Sequence, residues 1–356
     1  MSKAPTESIQ SQPHNLSRSI YRRLVDLYTE SIIKLELHPG DRVDSINDII
    51  KKHSVSRETA KLVLKILAKD GLIVQKLGKG SFVADLRPRQ KIWGVVLPYF
   101  SVQYEALVSE LMVYARTAGR ELRYFINQNS WQEEIRLVGT LINECYEAVI
   151  VVPTLDESST AAFYARLSPR GTVVTLIDHT MTGSFFSYAV QSYDLGVQRG
   201  MEYLLKKQPA TVAFVRNEMW GGRNLVQELM EETYNEIMQS KKVNKKPVVI
   251  ERAIAVTAQL VREKNIGAFF CCDDTDAIRI IGRLRQENIS IPGDCHLVSY
   301  GNTDLARYFS PAITSIDPRN AEMAGTMAGI LNCRLEGINT ELCQYVVQPE
   351  LIERQT

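Results

Sequence analysis

Apolar residues at Ile20, Leu24, Leu27, Tyr28, Ile32 and Leu35 recur every three or four positions, which predicts an amphipathic helix over 20–35. His38-Pro39-Gly40 follows and ends it, because proline and glycine do not continue a helical backbone. Ser45 is placed to cap a short second helix, 46–52. After the turn Ser54-Val55-Ser56, Ser56 is placed to cap a third, 57–69, which Gly71 terminates. The third helix sets Ala60, Val63, Leu64 and Leu67 on one face and Arg57, Lys61 and Lys65, four residues apart, on the other. Apolar runs at 72–77 and 81–84, joined by Gly78-Lys79-Gly80, then predict a β-hairpin. Three helices and a hairpin describe a winged helix over 17–84.

Residues 1–16 are polar and read as a disordered lead-in. Residues 85–91 are polar, contain Pro88 and read as a linker. From 92 onward, short apolar runs alternate with helical periodicity. Strands are predicted at 92–97, 121–126, 148–152 and 173–177, with helices at 104–117, 131–143 and 158–167. A second series follows, with helices at 195–206, 223–240, 258–263 and 275–286, and strands at 211–215, 247–250, 267–272 and 295–299. Repeated βα units form parallel sheets covered by helices on both faces. The expected fold class is therefore α/β, with two doubly wound lobes over 92–350 behind the winged helix. Lobe one takes about 92–188 and 317–336, lobe two about 189–302 and 340–356. Ligands of such sheets bind at the carboxyl ends of the strands, here in the cleft between the lobes.

Composition changes this picture only when the charge is divided. The 356-residue chain carries a formal net charge of +1. Residues 17–84 hold 13 Lys and Arg against 8 Asp and Glu, a net of +5, whereas the remainder nets −4. A basic small domain on a mildly acidic large one points to an anionic polymer as partner of the former. The plainer reading is a fluctuation in a small count. No apolar run reaches the ~18–20 residues that span a membrane, and the polar N-terminus lacks a signal-peptide core. Cys145, Cys271, Cys272, Cys295, Cys333 and Cys343 form no CxxC pair, which fits reduced thiols in a cytoplasmic chain without zinc or other cofactor.

The chemistry of the small domain follows from spacing. Arg57 can fork onto guanine edges while Lys61 and Lys65 meet phosphates. Ser56 and Thr59 supply hydroxyls and backbone N–H groups near the helix start. Lys79, between Gly78 and Gly80, brings the hairpin tip to a minor groove or the backbone. A solvated charged helix face and an ordinary basic turn are the plainer alternatives. In order and identity these residues resemble the GntR family of regulators, through Pro39-Gly40-Asp41-Arg42-Val43, Val55-Ser56-Arg57-Glu58-Thr59-Ala60-Lys61, Asp70-Gly71-Leu72-Ile73 and Gly78-Lys79-Gly80-Ser81-Phe82-Val83. The resemblance implies that Arg42, Ser56, Arg57, Thr59, Lys61 and Gly78 lie at the DNA. Ser45, Asn47, Glu58, Lys79 and Gly80 complete the candidate set. Asn47 stands where the family often has arginine, and Glu58 where it has a small hydroxyl residue. Glu58 either accepts from a cytosine amine or pairs with a lysine.

In the large domain the strand ends carry polar and aromatic residues: Tyr99, Phe100 and Ser101, Gln128, Asp178 and His179, Trp220 and Arg223, Asp273 and Asp274. A polyol needs this mixture. A carboxylate accepts from vicinal hydroxyls, a guanidinium donates to oxygens, and an aromatic face covers C–H patches. The plainer roles are a helix N-cap for Asp274, a surface charge for Arg223 and packing for Trp220. This region resembles the LacI-type regulators and periplasmic sugar-binding proteins, through Ile92-Trp93-Gly94-Val95-Val96-Leu97-Pro98, the stretch from Gly267 to Ala277, Ile291-Pro292-Gly293-Asp294 and the stretch from Arg307 to Ile316. It implies effector binding by Arg223 and Asp274. The family's next aspartates are replaced by Ser299-Tyr300-Gly301-Asn302, where Asn302 takes part of the role, and its glycine-aromatic pair by Val226-Gln227.

The two domains together resemble the AraR-type regulators. They imply a homodimer on a double-stranded DNA operator, controlled by a small effector, a monosaccharide or sugar derivative. Two other classes compete. One is a metal-dependent α/β enzyme holding Mg²⁺ on Asp273, Asp274 and Asp276, but the chain has no phosphate-cradling glycine loop, HExxH or GxSxG. The other is a sugar-binding protein without regulatory role, which the winged helix argues against.

Overall fold

The computed structural model describes residues 13–33, 36–37, 40–84, 90–154, 163–164, 171–181, 186–217, 225–240, 242–338 and 341–356, the side chains of 13–19 and 225 apart. Most of the lead-in, linker residues 85–89, all but two residues of the helix expected at 158–167, Trp220 and Arg223 lie outside the described residues. The chain divides into two compact units: Met1–Gln90 with Ile142–Glu147 and Leu167–Thr172, and the remainder.

In the first unit, α1 (Pro13–Ile33) starts earlier than the sequence pattern suggested, so 13–16 belong to a helix rather than to the lead-in. Proline suits a first helical turn, where its missing N–H has no partner to lose. The helix buries Leu24, Tyr28 and Ile32 at four-residue spacing, while Ile20 and Leu27 stay exposed. In α2 (Ile46–His53), Ser45 Oγ accepts from Asp48 N at 3.3 Å and the Asp48 carboxylate accepts from Ser45 N at 3.0 Å. Such a capping box contributes about 1 kcal/mol. Ser56 caps α3 (Arg57–Lys69) by accepting from Thr59 N at 3.1 Å, and Ala60, Val63, Leu64 and Leu67 are buried as expected. Gly71 leaves the helix at φ +72°, where an L side chain is strained. The antiparallel hairpin β1 (Ile73–Lys76) and β2 (Gly80–Val83) pairs Ile73 with Val83, and Arg42 bridges Phe82 from the outside. Tyr28 OH donates to Asp44 at 2.7 Å and so does Lys52 at 2.8 Å, which ties α1 to the start of α2.

Lobe one is built from β3 (Gln90–Leu97), α4 (Val102–Thr117), β4 (Glu121–Ile126), α5 (Trp131–Asn143), β5 (Tyr146–Val151), β6 (Val173–Asp178) and β7 (Ser187–Gln191). Lobe two contains α6 (Tyr193–Lys206), β8 (Val212–Val215), α7 (Leu225–Gln239), β9 (Val248–Ile250), α8 (Ala258–Lys264), β10 (Ala268–Cys271), α9 (Asp274–Gln286), β11 (His296–Tyr300), α10 (Asp304–Tyr308) and β12 (Thr314–Asp317). The chain returns through α11 (Asn320–Leu335) and β13 (Gln344–Val347) to lobe one, then through β14 (Glu350–Ile352) to lobe two. The sheet orders are β13-β7-β6-β5-β3-β4 and β14-β12-β11-β10-β8-β9. Only β14 runs antiparallel to its neighbour among the pairings recorded in these two sheets. Strands such as Trp93–Leu97 and Ala148–Val151 are buried nearly throughout, as parallel strands with helices on both faces must be. This is the expected α/β fold of two doubly wound lobes.

The lobe boundaries need correction. The expected division ended lobe one at 188 and gave all of 340–356 to lobe two. In fact β7 and β13 both lie in the lobe-one sheet, paired in parallel with Gln344 opposite Tyr188. The first crossing between lobes therefore falls between Gln191 and Tyr193. Five residues, Ser-Tyr-Ala-Val-Gln, carry too little periodicity to declare a strand; β7 exists because β6 and β13 flank it. Residues 303–316, outside the expected bounds of either lobe, supply α10 and most of β12 to lobe two, and Asp317, expected in lobe one, completes β12 there. No helix among the described residues is long and apolar enough to cross a membrane.

Candidate functional site

The ends of β3, β10 and β11 and the starts of α4, α6 and α9 converge on a pocket between the two lobes. Tyr99, Ser101, Gln103 and Tyr104 come from lobe one. Tyr193, Asn217, Gln227, Met230, Asp273, Asp274, Thr275, Tyr300 and Thr303 come from the crossing and lobe two. Ser101 caps α4, accepting from Tyr104 N at 3.2 Å, and this places Tyr104 in the first turn with its ring 5.1 Å from that of Tyr99. Hydroxyls, amides and carboxyls set among tyrosine rings are the groups a small polyhydroxylated ligand requires.

A buried hydrogen-bond network lies against this pocket. Asp178, 2 % exposed, accepts from Tyr104 OH at 3.0 Å, Tyr193 OH at 2.8 Å and Gln191 Nε2 at 2.6 Å. Tyr300 OH donates to Gln191 Oε1 at 2.7 Å, and the Tyr193 and Tyr300 rings stack at 5.6 Å. Burial pushes the Asp178 carboxyl up, but donors from His179, Tyr193 and Gln191 outweigh it and hold the group below its ordinary value. Asp178 thus anchors tyrosines from both lobes. In the ligand-free protein the oxygens of Asp178, expected to meet the effector, are engaged by these protein donors. Gly196 permits this arrangement: a Cβ there would lie 2.7 Å from the Tyr300 ring.

Asp274 is also internally bonded. It is the first residue of α9, 2 % exposed. It accepts from Ser299 Oγ, from Thr303 N and Oγ1 at 2.8 Å each, and from Ser315 Oγ at 2.8 Å. Four donors fill the acceptor sites of a carboxylate. The helix cap is Asp273, whose Oδ1 accepts from Asp276 N at 2.7 Å. Asp273 lines the pocket, and burial together with the negative charge of Asp276 pushes its carboxyl up to about 7. Burial likewise raises Asp274, against the donors of Ser299 and Thr303.

Of the other expected effector residues, Tyr99 lines the pocket, and Trp220 and Arg223 lie outside the described residues. Phe100 is exposed and stacks on Tyr124 at 5.8 Å, and Gln128 is exposed in a left-handed turn at φ +55°. Asn302 donates from Nδ2 to Asp317 at 2.9 Å and accepts from Arg354, so it braces β12 and the chain end. Phe100, Gln128 and Asn302 are therefore absent from the pocket's described lining. Asp273, named with Asp274 at its strand end, lines the pocket, whereas Tyr104, Tyr193 and Tyr300 were not expected there; a tyrosine in a helix's first turn has no distinctive spacing to reveal it. Each of the three aspartates considered for Mg²⁺ is engaged within the protein. Asp274 is saturated, Asp273 caps α9, and Asp276 pairs with Arg279 at 2.7 Å. Among the described residues no group of three or more His, Cys, Asp or Glu is disposed to hold a metal.

On the first unit, Arg42, Asn47, Arg57, Glu58, Lys61, Lys79 and both hairpin glycines are exposed. Gly78 and Gly80 turn the hairpin at φ +71° and +107°, and a Cβ on Gly80 would press to 3.3 Å from Arg42 Nε. The Ser45 and Ser56 hydroxyls serve the caps of α2 and α3, Ser56 lying 2.9 Å from Thr59 Oγ1. Of the two roles open to Glu58, the free protein adopts the lysine pair: Lys61 Nζ stands 3.1 Å from Glu58 Oε1.

Residues 201–356 match the family model of the periplasmic binding protein-like domain. Over 94 residues the chain is 35 % identical to the HTH-type transcriptional repressor PurR of Vibrio parahaemolyticus, covering 26 % of this chain and 28 % of that one. Over 103 residues it is 32 % identical to the PurR repressor of Vibrio cholerae, covering 29 % and 31 %. The chain thus spans under a third of the length of these curated relatives. Among solved structures, the transcriptional regulator CelR in complex with cellobiose superposes with a TM-score of 0.63 at 17 % identity, over 85 % of this chain and 91 % of that one. A periplasmic binding protein/LacI transcriptional regulator from Alkaliphilus metalliredigens complexed with D-xylulofuranose gives 0.62 at 16 %, over 75 % and 99 %. CcpA of Lactococcus lactis gives 0.63 at 16 %, over 75 % and 99 %. The larger unit of this chain accordingly has the periplasmic-binding-protein-like fold that these regulators share.

Proposed function

We propose that the chain is a sequence-specific DNA-binding transcription regulator of the combined GntR and LacI type, whose operator affinity is set by a small neutral polyol, a monosaccharide or close derivative. The observation that carries this reading is the pairing, in one chain, of a helix with exposed Arg57, Lys61 and Lys65 above a hairpin with a tyrosine-rich polar pocket between two α/β lobes. The names of the matched relatives, repressors and sugar-complexed regulators, support both halves. In this reading Arg57 contacts base edges, while Arg42, Asn47, Lys79 and the backbone around Ser45, Ser56 and Gly78 hold phosphates. Asp273 is the carboxyl offered to ligand hydroxyls, beside Tyr99 and Tyr104, with Arg223 and Trp220 completing the site. Asp178 and Asp274 support it from behind. The protein acts in the cytoplasm as a homodimer on two half-sites. A ligand alters operator affinity only as far as it binds the two lobe arrangements differently.

Electrophoretic mobility shift of DNA flanking its own gene, with and without a panel of monosaccharides, tests this. A retarded band that one sugar changes is expected. Arg57→Ala should lose the band, a deficit of about 1–3 kcal/mol, and still bind the sugar in calorimetry. No retarded band at low salt with the wild-type chain overturns the reading.

A further inference from the structure

We propose that Glu58 reads the cytosine of a C·G pair in the operator, with Lys61 donating to the guanine of the same pair. This rests on the DNA-binding reading above. At the start of α3, the Ser56 and Thr59 hydroxyls face each other at 2.9 Å and close the cap, so the first turn presents Arg57 and Glu58 outward, with Lys61 one turn on. Glu58 is the anomaly on this basic face. Its side chain is 81 % exposed, so it supports no core. A carboxylate brought against the phosphate backbone is repelled, whereas a cytosine amine in the major groove donates to it. The Lys61 ammonium at 3.1 Å sets a donor beside this acceptor on the same helix face.

The major-groove edge of a C·G pair is the complement of that arrangement. Cytosine offers the N4 amine and guanine the O6 and N7 acceptors. Adenine also carries an amine, but its N7 acceptor lies next to it and repels the second carboxylate oxygen. Guanine and thymine offer a carboxylate no donor in this groove. The exposed pair in the free protein therefore opens into a matched pair of base contacts, each charge exchanging its neighbour for a base.

The test is selection of the full chain on a random duplex library, followed by sequencing, for wild type, Glu58→Gln and Glu58→Ala. Glutamine pairs two-fold with adenine N6 and N7. The wild-type consensus is expected to hold a C·G position, preferred about ten-fold, that becomes A·T with Glu58→Gln and indifferent with Glu58→Ala, while the other positions persist. Both variants enriching the unchanged wild-type consensus overturns the proposal and leaves Glu58 as the partner of Lys61 alone. Loss of all enrichment in both variants also overturns it, because a residue reading one base pair does not carry the whole affinity. A wild-type chain that enriches no sequence defeats the DNA-binding reading itself, and this one with it.

Discussion

Two adjacent aspartates at the start of α9 have different environments, and each supports its own prediction. Asp274 gathers donors from Ser299, Thr303 and Ser315, so it clamps β11, the turn after it and β12. Asp274→Asn keeps the shape but turns an acceptor into an amide facing hydroxyl donors. The expected loss is about 1–3 kcal/mol, read as a lower urea midpoint; an unchanged midpoint contradicts the clamp. Asp273 differs because asparagine caps as well as aspartate. Its carboxyl rises from 3.8 to about 7 through burial and the charge of Asp276. Between those values the folded chain holds a proton that the unfolded chain has released, so this group's contribution to stability falls as pH rises through that window. Asp273→Asn removes that dependence. In scanning calorimetry its melting point should gain on wild type progressively from pH 4 to pH 8, and a gap independent of pH refutes the burial argument.

Between elements, the notable contact is the one that spans the first crossing. Tyr300 at the end of β11 donates to Gln191 at the end of β7, and Tyr193 at the start of α6 donates to Asp178 at the end of β6. These bonds join lobe two to lobe one beside the pocket, at the place where a hinge rotation would separate them. Tyr300→Phe removes one hydroxyl and leaves Gln191 Oε1 without that donor in a buried site. Ligand-free X-ray scattering should then give a larger radius of gyration than wild type, as the lobes part more often. An identical scattering curve means that other contacts set the lobe angle.

For the whole molecule, each lobe has its own sheet and core, and the three helices and hairpin of the small unit have a third. The core clusters of the lobes and of the small unit share no residue. The segment 92–356 expressed alone is therefore expected to fold, bind the effector and sediment as a dimer at micromolar concentration. Met112 and Val113 on α4 are exposed apolar residues that such pairing would cover. A fragment that binds effector yet sediments only as monomer moves dimerisation elsewhere in the chain.

The elements of the small domain were legible in the sequence because their causes are local. Ser45 and Ser56 cap from one position before the helix, Gly71 and Gly80 adopt positive φ where side chains are strained, and α3 buries one face at helical spacing. The α/β class was legible for the same reason: buried parallel strands must be continuous apolar runs. What the pattern did not contain was which element lies beside which. β7 and β13 are too short to be recognised alone, and only their pairing places them in lobe one. The pocket shows the same limit more sharply. That carboxylates stand at the strand ends follows from the order of residues, but whether each faces a ligand depends on donors from distant segments. Asp178 meets Tyr193 and Tyr300's partner Gln191, and Asp274 meets Ser315, 41 residues on. A charge in a low-dielectric interior is held by whatever donors the fold brings to it, so its role was decided by tertiary packing, not by its place in the chain.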